Sequence, residues 1–112
     1  MLLVRANGEP GAYVGRAEAP PLGIMPGAAF EQREVVLEAG DTVVLFTDGV
    51  IEAKNPDGDE FGFDRLSQLC TTPGGDRSQL VSRVAESVEA FAEHCAQHDD
   101  LTLLAVEIHY DL

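Results

Sequence analysis

The stretch Thr42-Val43-Val44-Leu45-Phe46-Thr47-Asp48-Gly49-Val50 constrains this chain more than any other. An apolar, β-branched run suited to a core strand stops abruptly at an aspartate followed by glycine. Such a strand has no local use for a carboxylate at its tip, because burying an unpaired charge costs several kcal/mol. A cation or a phosphate-handling site at the strand end makes sense of it. A second acidic pair, Asp99-Asp100, stands immediately before another apolar run, Leu101-Thr102-Leu103-Leu104-Ala105-Val106. If the two runs are adjacent antiparallel strands, the end of one and the start of the other share one edge of the sheet. Asp48 and Asp99-Asp100 then converge from distant parts of the chain, as metal ligands do.

The chain of 112 residues suits one domain, large enough for a core. Its net charge of −13, from seven basic and twenty acidic residues, disfavours nucleic acid and anionic membrane as partners. The same field repels an anionic substrate unless metal ions cancel it locally. Cys70 and Cys95 form no CxxC and fall in helix-like segments, so both read as small buried hydrophobes. No signal peptide or membrane-spanning run is expected, since Met1-Leu2-Leu3-Val4 leads at once into Arg5 and turn residues. A cytoplasmic setting is the expectation.

Asn7-Gly8-Glu9-Pro10-Gly11 between Leu2–Ala6 and Ala12–Gly15 signals a hairpin. Residues 16 to 30 read as a loop broken by Pro20, Pro21, Gly23, Pro26 and Gly27. Val35-Val36-Leu37, a turn at Glu38-Ala39-Gly40-Asp41 and the strand Thr42 to Thr47 predict a second hairpin. Asp64 is a candidate cap for a short helix bearing Leu66, Leu69 and Cys70. Asp76 with Gln79 resembles a capping box opening one long helix, expected to end near Gln97. Along it Leu80, Val84, Val88, Phe91 and Cys95 form one apolar stripe, opposite Glu86, Glu89 and Glu93. A last strand is expected from Leu101 to about His109. Hairpins, then helices, then a strand make an α+β chain rather than a βαβ alternation.

Each acidic feature also has a plainer reading. Taken alone, Asp48-Gly49 equally describes a turn that ends a strand. A haloacid-dehalogenase-type phosphatase needs a second aspartate two residues on, where Val50 stands. A receiver domain needs its acidic pair upstream, and here the pair lies downstream. Asn55-Pro56-Asp57-Gly58-Asp59-Glu60 imitates a calcium loop, but its sixth place holds Glu60 rather than glycine, so a solvated acidic turn is the better reading. His94 and His98 share a helical spacing beside Cys95 as candidate zinc ligands. Cys95 belongs to the apolar stripe, however, and histidines suit a helix C-terminus.

Four segments in order resemble a known set: Ala39-Gly40-Asp41, Val43 to Ala53, Phe61-Gly62-Phe63-Asp64-Arg65-Leu66, and Asp99 to Leu104. They are similar to the metal-dependent protein serine/threonine phosphatases of type 2C, specifically the bacterial sporulation-protein-E-like branch, over about Pro21 to Ile108. The resemblance implies an α-β-β-α sandwich to which this chain contributes later strands, with one long and one short helix on an antiparallel sheet. It implies that Asp48 and Asp99 are ligands of a two-ion Mn2+ or Mg2+ centre, with no catalytic residue beyond the metal ligands. Asp100, Gly49 and Glu52 are placed around those ligands rather than on the metal.

In that family an earlier glycine-aspartate motif supplies the ligand that bridges the two ions. Asp41, Asp59 and Asp76 follow glycine here, yet each belongs to a later turn or cap. The chain therefore resembles the C-terminal portion of such a domain. The function implied for the complete domain is hydrolysis of phosphoserine or phosphothreonine on a small regulatory protein, such as an anti-sigma-factor antagonist; the segment alone is expected to be inactive. The competing expectation is a non-catalytic, phosphatase-like module used for protein binding.

Overall fold

The computed structural model describes residues 1–7, 12–13, 20–72, 76–97 and 99–110. The elements run β1 (Leu2–Val4), β2 (Ala12–Tyr13), β3 (Thr42–Phe46), α1 (Asp48–Ile51), α2 (Gly62–Thr71), a 3-10 turn (Arg77–Gln79), α3 (Leu80–Ala92) and β4 (Leu103–Glu107). The fold is α+β, built on a four-stranded sheet of order β2-β1-β3-β4 in which every pairing is antiparallel. Leu2 lies opposite Tyr13, as a hairpin requires; its tip, Gly8 to Gly11, falls outside the described residues.

Alternation along the strands decides which side chains form the core. Leu2, Val44 and Ala105 share one sheet face, as do Phe46 and Leu103. Against that face pack Val50, Phe61, Leu66, Cys70, Leu80, Val84 and Val88 from the helical layer. The other face carries Leu45 opposite Leu104 and Val43 opposite Val106; Leu45, Leu104 and Val106 are 41%, 52% and 42% exposed there. Helices thus cover one side of the sheet only, among the described residues.

The second hairpin is not formed: Val35 to Leu37 make no strand, and Val36 is exposed. The reason is topological. β1 takes one edge of β3 and β4 takes the other, so no edge is left for a neighbour in sequence. Side chains satisfy the segment instead, Arg5 donating to the Val36 carbonyl at 3.0 Å and Tyr110 to that of Leu37 at 2.9 Å. The turn at its end is real, with Gly40 at φ 86° and the Asp41 amide donating to Glu38 O at 3.0 Å.

Helix limits also differ from the periodic reading. Asp76 does cap, its Oδ1 accepting from the Ser78 amide at 2.9 Å, but a 3-10 turn precedes α3. α3 stops at Ala92 rather than Gln97, because Glu93 adopts φ 53° and turns the chain. No glycine marks that stop, which is why sequence spacing overran it. Cys95 accordingly lies beyond the helix, half-buried, whereas Cys70 is buried in α2. Phe61, not Asp64, holds the cap position of α2; Asp64 sits inside the first turn, where a negative charge suits the helix dipole. β4 begins at Leu103, so Leu101 and Thr102 pass outside the strand.

Candidate metal-ligand segment at the β3–β4 edge

β3 delivers Thr47 in an extended conformation, and the chain then turns into the single helical turn α1. The Val50 amide donates to Thr47 O at 3.0 Å and that of Glu52 to Asp48 O at 2.8 Å, closing this turn. Val50 is fully buried, so its packing anchors the turn while Asp48 stays exposed beside it.

The acidic pair reaches the same place from the other side. The ladder between β3 and β4 ends with Phe46 opposite Leu103. Beyond it the Thr47 amide donates to Thr102 O at 3.1 Å and the Thr47 hydroxyl donates to Asp100 O at 2.9 Å. The same hydroxyl oxygen accepts from the Thr102 amide at 2.9 Å. Gly49 is buried under this segment. A Cβ on it would lie 2.9 Å from the Asp100 carbonyl carbon, 3.3 Å from Asp99 O and closer still to Asp100 O. Glycine is needed there for close approach of two backbones. Convergence of Thr47-Asp48-Gly49 with Asp99-Asp100, anticipated from antiparallel pairing, is therefore present in the backbone.

Asp99 is oriented locally: its Oδ1 accepts from the Asp100 amide at 2.8 Å, and its carbonyl accepts from Gln97 Nε2 at 2.7 Å. Asp48, Asp99 and Asp100 are exposed, and no salt bridge engages them among the described residues. A cavity of about 830 Å³ opens beside them between α1 and the end of α3. Gly49, Glu52 and Asp99 line it with Glu60, Glu89, Glu93 and Lys54, over a floor that includes Val88 and Leu101. Asp48 and Asp100 are not among its lining residues. Five carboxylates around one ammonium make this wall strongly negative.

These donors are hard carboxylate oxygens, the chemistry that Mg2+ and Mn2+ take. Among the described residues, however, no group of three or more His, Cys, Asp and Glu side chains is placed to hold an ion unaided. The donors present are thus of the right chemistry for such an ion but do not by themselves complete a site among the described residues. Of the other candidates, His94 is exposed just past α3, and His98 lies outside the described residues. Asn55–Glu60 is a turn closed by the Asp59 amide on Asn55 Oδ1 at 2.9 Å, with Gly58 at φ 84°.

Sequence reasoning placed Asp41 in a turn and in the family resemblance but did not foresee that it is the one buried carboxylate among the described residues. Asp41, 1% exposed, accepts from the Glu38 amide at 2.9 Å, the Ala6 amide at 3.1 Å and Arg5 Nη1 at 2.7 Å. The Glu38 amide above all, then the Ala6 amide and Arg5, hold its carboxyl below the ordinary range, against burial acting the other way. Arg77 completes this polar knot, donating to Gly40 O, to Thr42 Oγ1 at 2.9 Å and to Arg5 O at 2.8 Å. It fastens the start of the helical layer to the sheet and takes no part in the acidic edge. Thr47 was missed as well, although a hydroxyl directly before the strand-tip aspartate was the available signal.

Comparison with known proteins gives the same frame. Residues 1–109 match the family model of stage II sporulation protein E. Protein IcfG of Synechocystis sp. is 25% identical over 91 residues, covering 81% of this chain and 14% of that protein. The chain thus spans about 14% of the length of the curated relative it matches. No solved structure matches it significantly. No helix among the described residues is long and apolar enough to cross a membrane. With nearly its whole length matched, the chain belongs to the stage II sporulation protein E (SpoIIE) family, a family of type 2C phosphatases.

Proposed function

We propose that this chain is the C-terminal, metal-liganding portion of a serine/threonine protein phosphatase domain, in which Asp48 and Asp99 hold Mn2+ or Mg2+. The observation that carries this reading is the seating of the Asp99-Asp100 backbone on Gly49, one residue from Asp48. It puts the two motifs of the family resemblance at one sheet edge. When bound, a pair of such ions supplies charge neutralisation for phosphoryl oxygens and activates a water for in-line attack. The chain's own residues bind and orient. Asp48 and Asp99 offer anionic oxygens, α1 fixes Asp48 through buried Val50, and the Asp100 amide fixes one oxygen of Asp99. Neither aspartate acts as a nucleophile, so no phosphoenzyme forms.

The net charge of −13 makes the metal charge a requirement for approach of a phosphoprotein. The substrate is a small phosphorylated regulatory protein, such as an anti-sigma-factor antagonist, and the two free cysteines suit a cytoplasmic setting. Asp48 and Asp99 would hold such ions only together with further carboxylates, since the described residues alone do not complete a site. The test is Mn2+-dependent dephosphorylation of a phosphoserine protein by the full-length protein. Asp48→Asn and Asp99→Asn should each abolish turnover while leaving the circular-dichroism spectrum intact. Undiminished turnover in both variants would refute the ligand roles of Asp48 and Asp99, whereas no Mn2+-dependent turnover by wild type would leave the non-catalytic binding module as the reading.

A further inference from the structure

Among the described residues, three hydrogen bonds join the segments that bear the acidic residues, and all three use Thr47. Its amide reaches Thr102 O, its hydroxyl donates to Asp100 O, and that hydroxyl accepts from the Thr102 amide. The strand ladder stops one residue earlier, at Phe46 opposite Leu103. Past that point a single backbone bond, from the Thr47 amide to Thr102 O, is left to guide residues 99–102. Among the described residues, the other bonds of the acidic segment are local, from Gln97 to Asp99 and from Asp100 to Asp99. Contact with Gly49 seats the segment but has no directionality, whereas a hydroxyl that both donates and accepts has it.

We propose that Thr47 is the positioning residue of this site: its hydroxyl sets Asp99-Asp100 opposite Asp48. The inference rests on the reading of Asp48 and Asp99 as metal ligands. Thr47 acts through them, because it immediately precedes one ligand in the chain and binds the carbonyl of the residue after the other. Valine at this position keeps the shape and loses both hydroxyl bonds. Asp100 and Thr102 are exposed, so water replaces those bonds and the change falls on the order of the segment rather than on the core.

The experiment compares wild type, Thr47→Val and Thr47→Ser in the full-length protein by amide hydrogen exchange at Thr102 and by Mn2+ titration, with circular dichroism reporting the fold. Thr47→Val should exchange the Thr102 amide about tenfold faster. Its Mn2+ dissociation constant should rise about 10- to 100-fold, the usual effect of losing a group that orients a ligand. Thr47→Ser should behave as wild type in both. Unchanged exchange in Thr47→Val overturns the proposal, as does unchanged Mn2+ affinity, or a serine variant as impaired as the valine one. Unfolding of Thr47→Val while Thr47→Ser folds also overturns it, since the hydroxyl would then hold the fold and not the site. If wild type binds no Mn2+, or Asp48→Asn and Asp99→Asn bind as well as wild type, the ligand reading falls. The exchange comparison then still decides whether Thr47 places the acidic segment.

Discussion

Gly49→Ala tests the seating of the acidic segment, because two physical arguments give it opposite signs. Gly49 lies inside the helical turn α1, and helix propensity alone favours alanine over glycine by about 0.8–1.0 kcal/mol. The packing argument opposes this. A Cβ would lie 2.9 Å from the Asp100 carbonyl carbon, against an optimum of roughly 3.5–4.0 Å for two carbons. The atoms in the way are backbone, not the far end of a flexible side chain, so the whole segment must retreat by about 0.6–1 Å. Overpacking of that kind costs about 1–3 kcal/mol, which outweighs the propensity gain over most of its range. Urea denaturation of Gly49→Ala should therefore show a lower midpoint with an unchanged slope. With about 1 kcal/mol of net loss, a thermal melt should fall by roughly 4–8 °C. On the proposed reading of Asp48 and Asp99 as ligands, displacement of the segment should also weaken Mn2+ binding in the same variant. An alanine variant as stable as wild type, or more so, would refute the close approach and with it the convergence of the two motifs.

Phe91→Ala should cost about 2–3 kcal/mol in a denaturant melt, below the 3–5 kcal/mol expected for a fully buried aromatic, because Phe91 is only half-buried. Phe91→Leu should recover most of that and isolate the edge-to-face contact with Phe61 at 5.4 Å and the Arg65 guanidinium 4.5 Å from the ring centroid. Asp41→Asn should lose stability at neutral pH. Since the folded state holds the Asp41 carboxyl below its ordinary value of 3.8, the contribution is present above that value. It is lost as pH falls through the folded pKa, so melts of wild type and of Asp41→Asn recorded down to strongly acidic pH should converge there and nowhere else. Burial pushes the Cys70 thiol up to about 11, so a thiol reagent at pH 8 should label Cys95 first and Cys70 only on unfolding; equal rates would contradict the burial of Cys70.

Local chemistry made several features legible from the chain alone. The first pairing, the Asp76 cap and the Leu80-Val84-Val88 stripe each depend on neighbours within a few residues or on periodicity, whereas the antiparallel approach of the two apolar runs was a supposition that the fold bears out. Spacing of Asp48 and Asp99 from their strands was enough to bring both to one edge. Competition among distant segments was not legible. Val35 to Leu37 have the composition of a strand, yet β1 and β4 occupy both edges of β3, and strand composition cannot say which segment wins an edge. The end of α3 at Ala92 depends on Glu93 accepting a positive φ that its type rarely adopts. Asp41 reads as one more turn aspartate until Arg5, Ala6 and Glu38 are assembled around it. The chain by itself thus determined which carboxylates stand at the strand ends and where the helical apolar face lies. Tertiary structure alone decided how the two acidic segments are fastened, because a hydroxyl bridge and a backbone contact over glycine exist only once strands distant in sequence have paired.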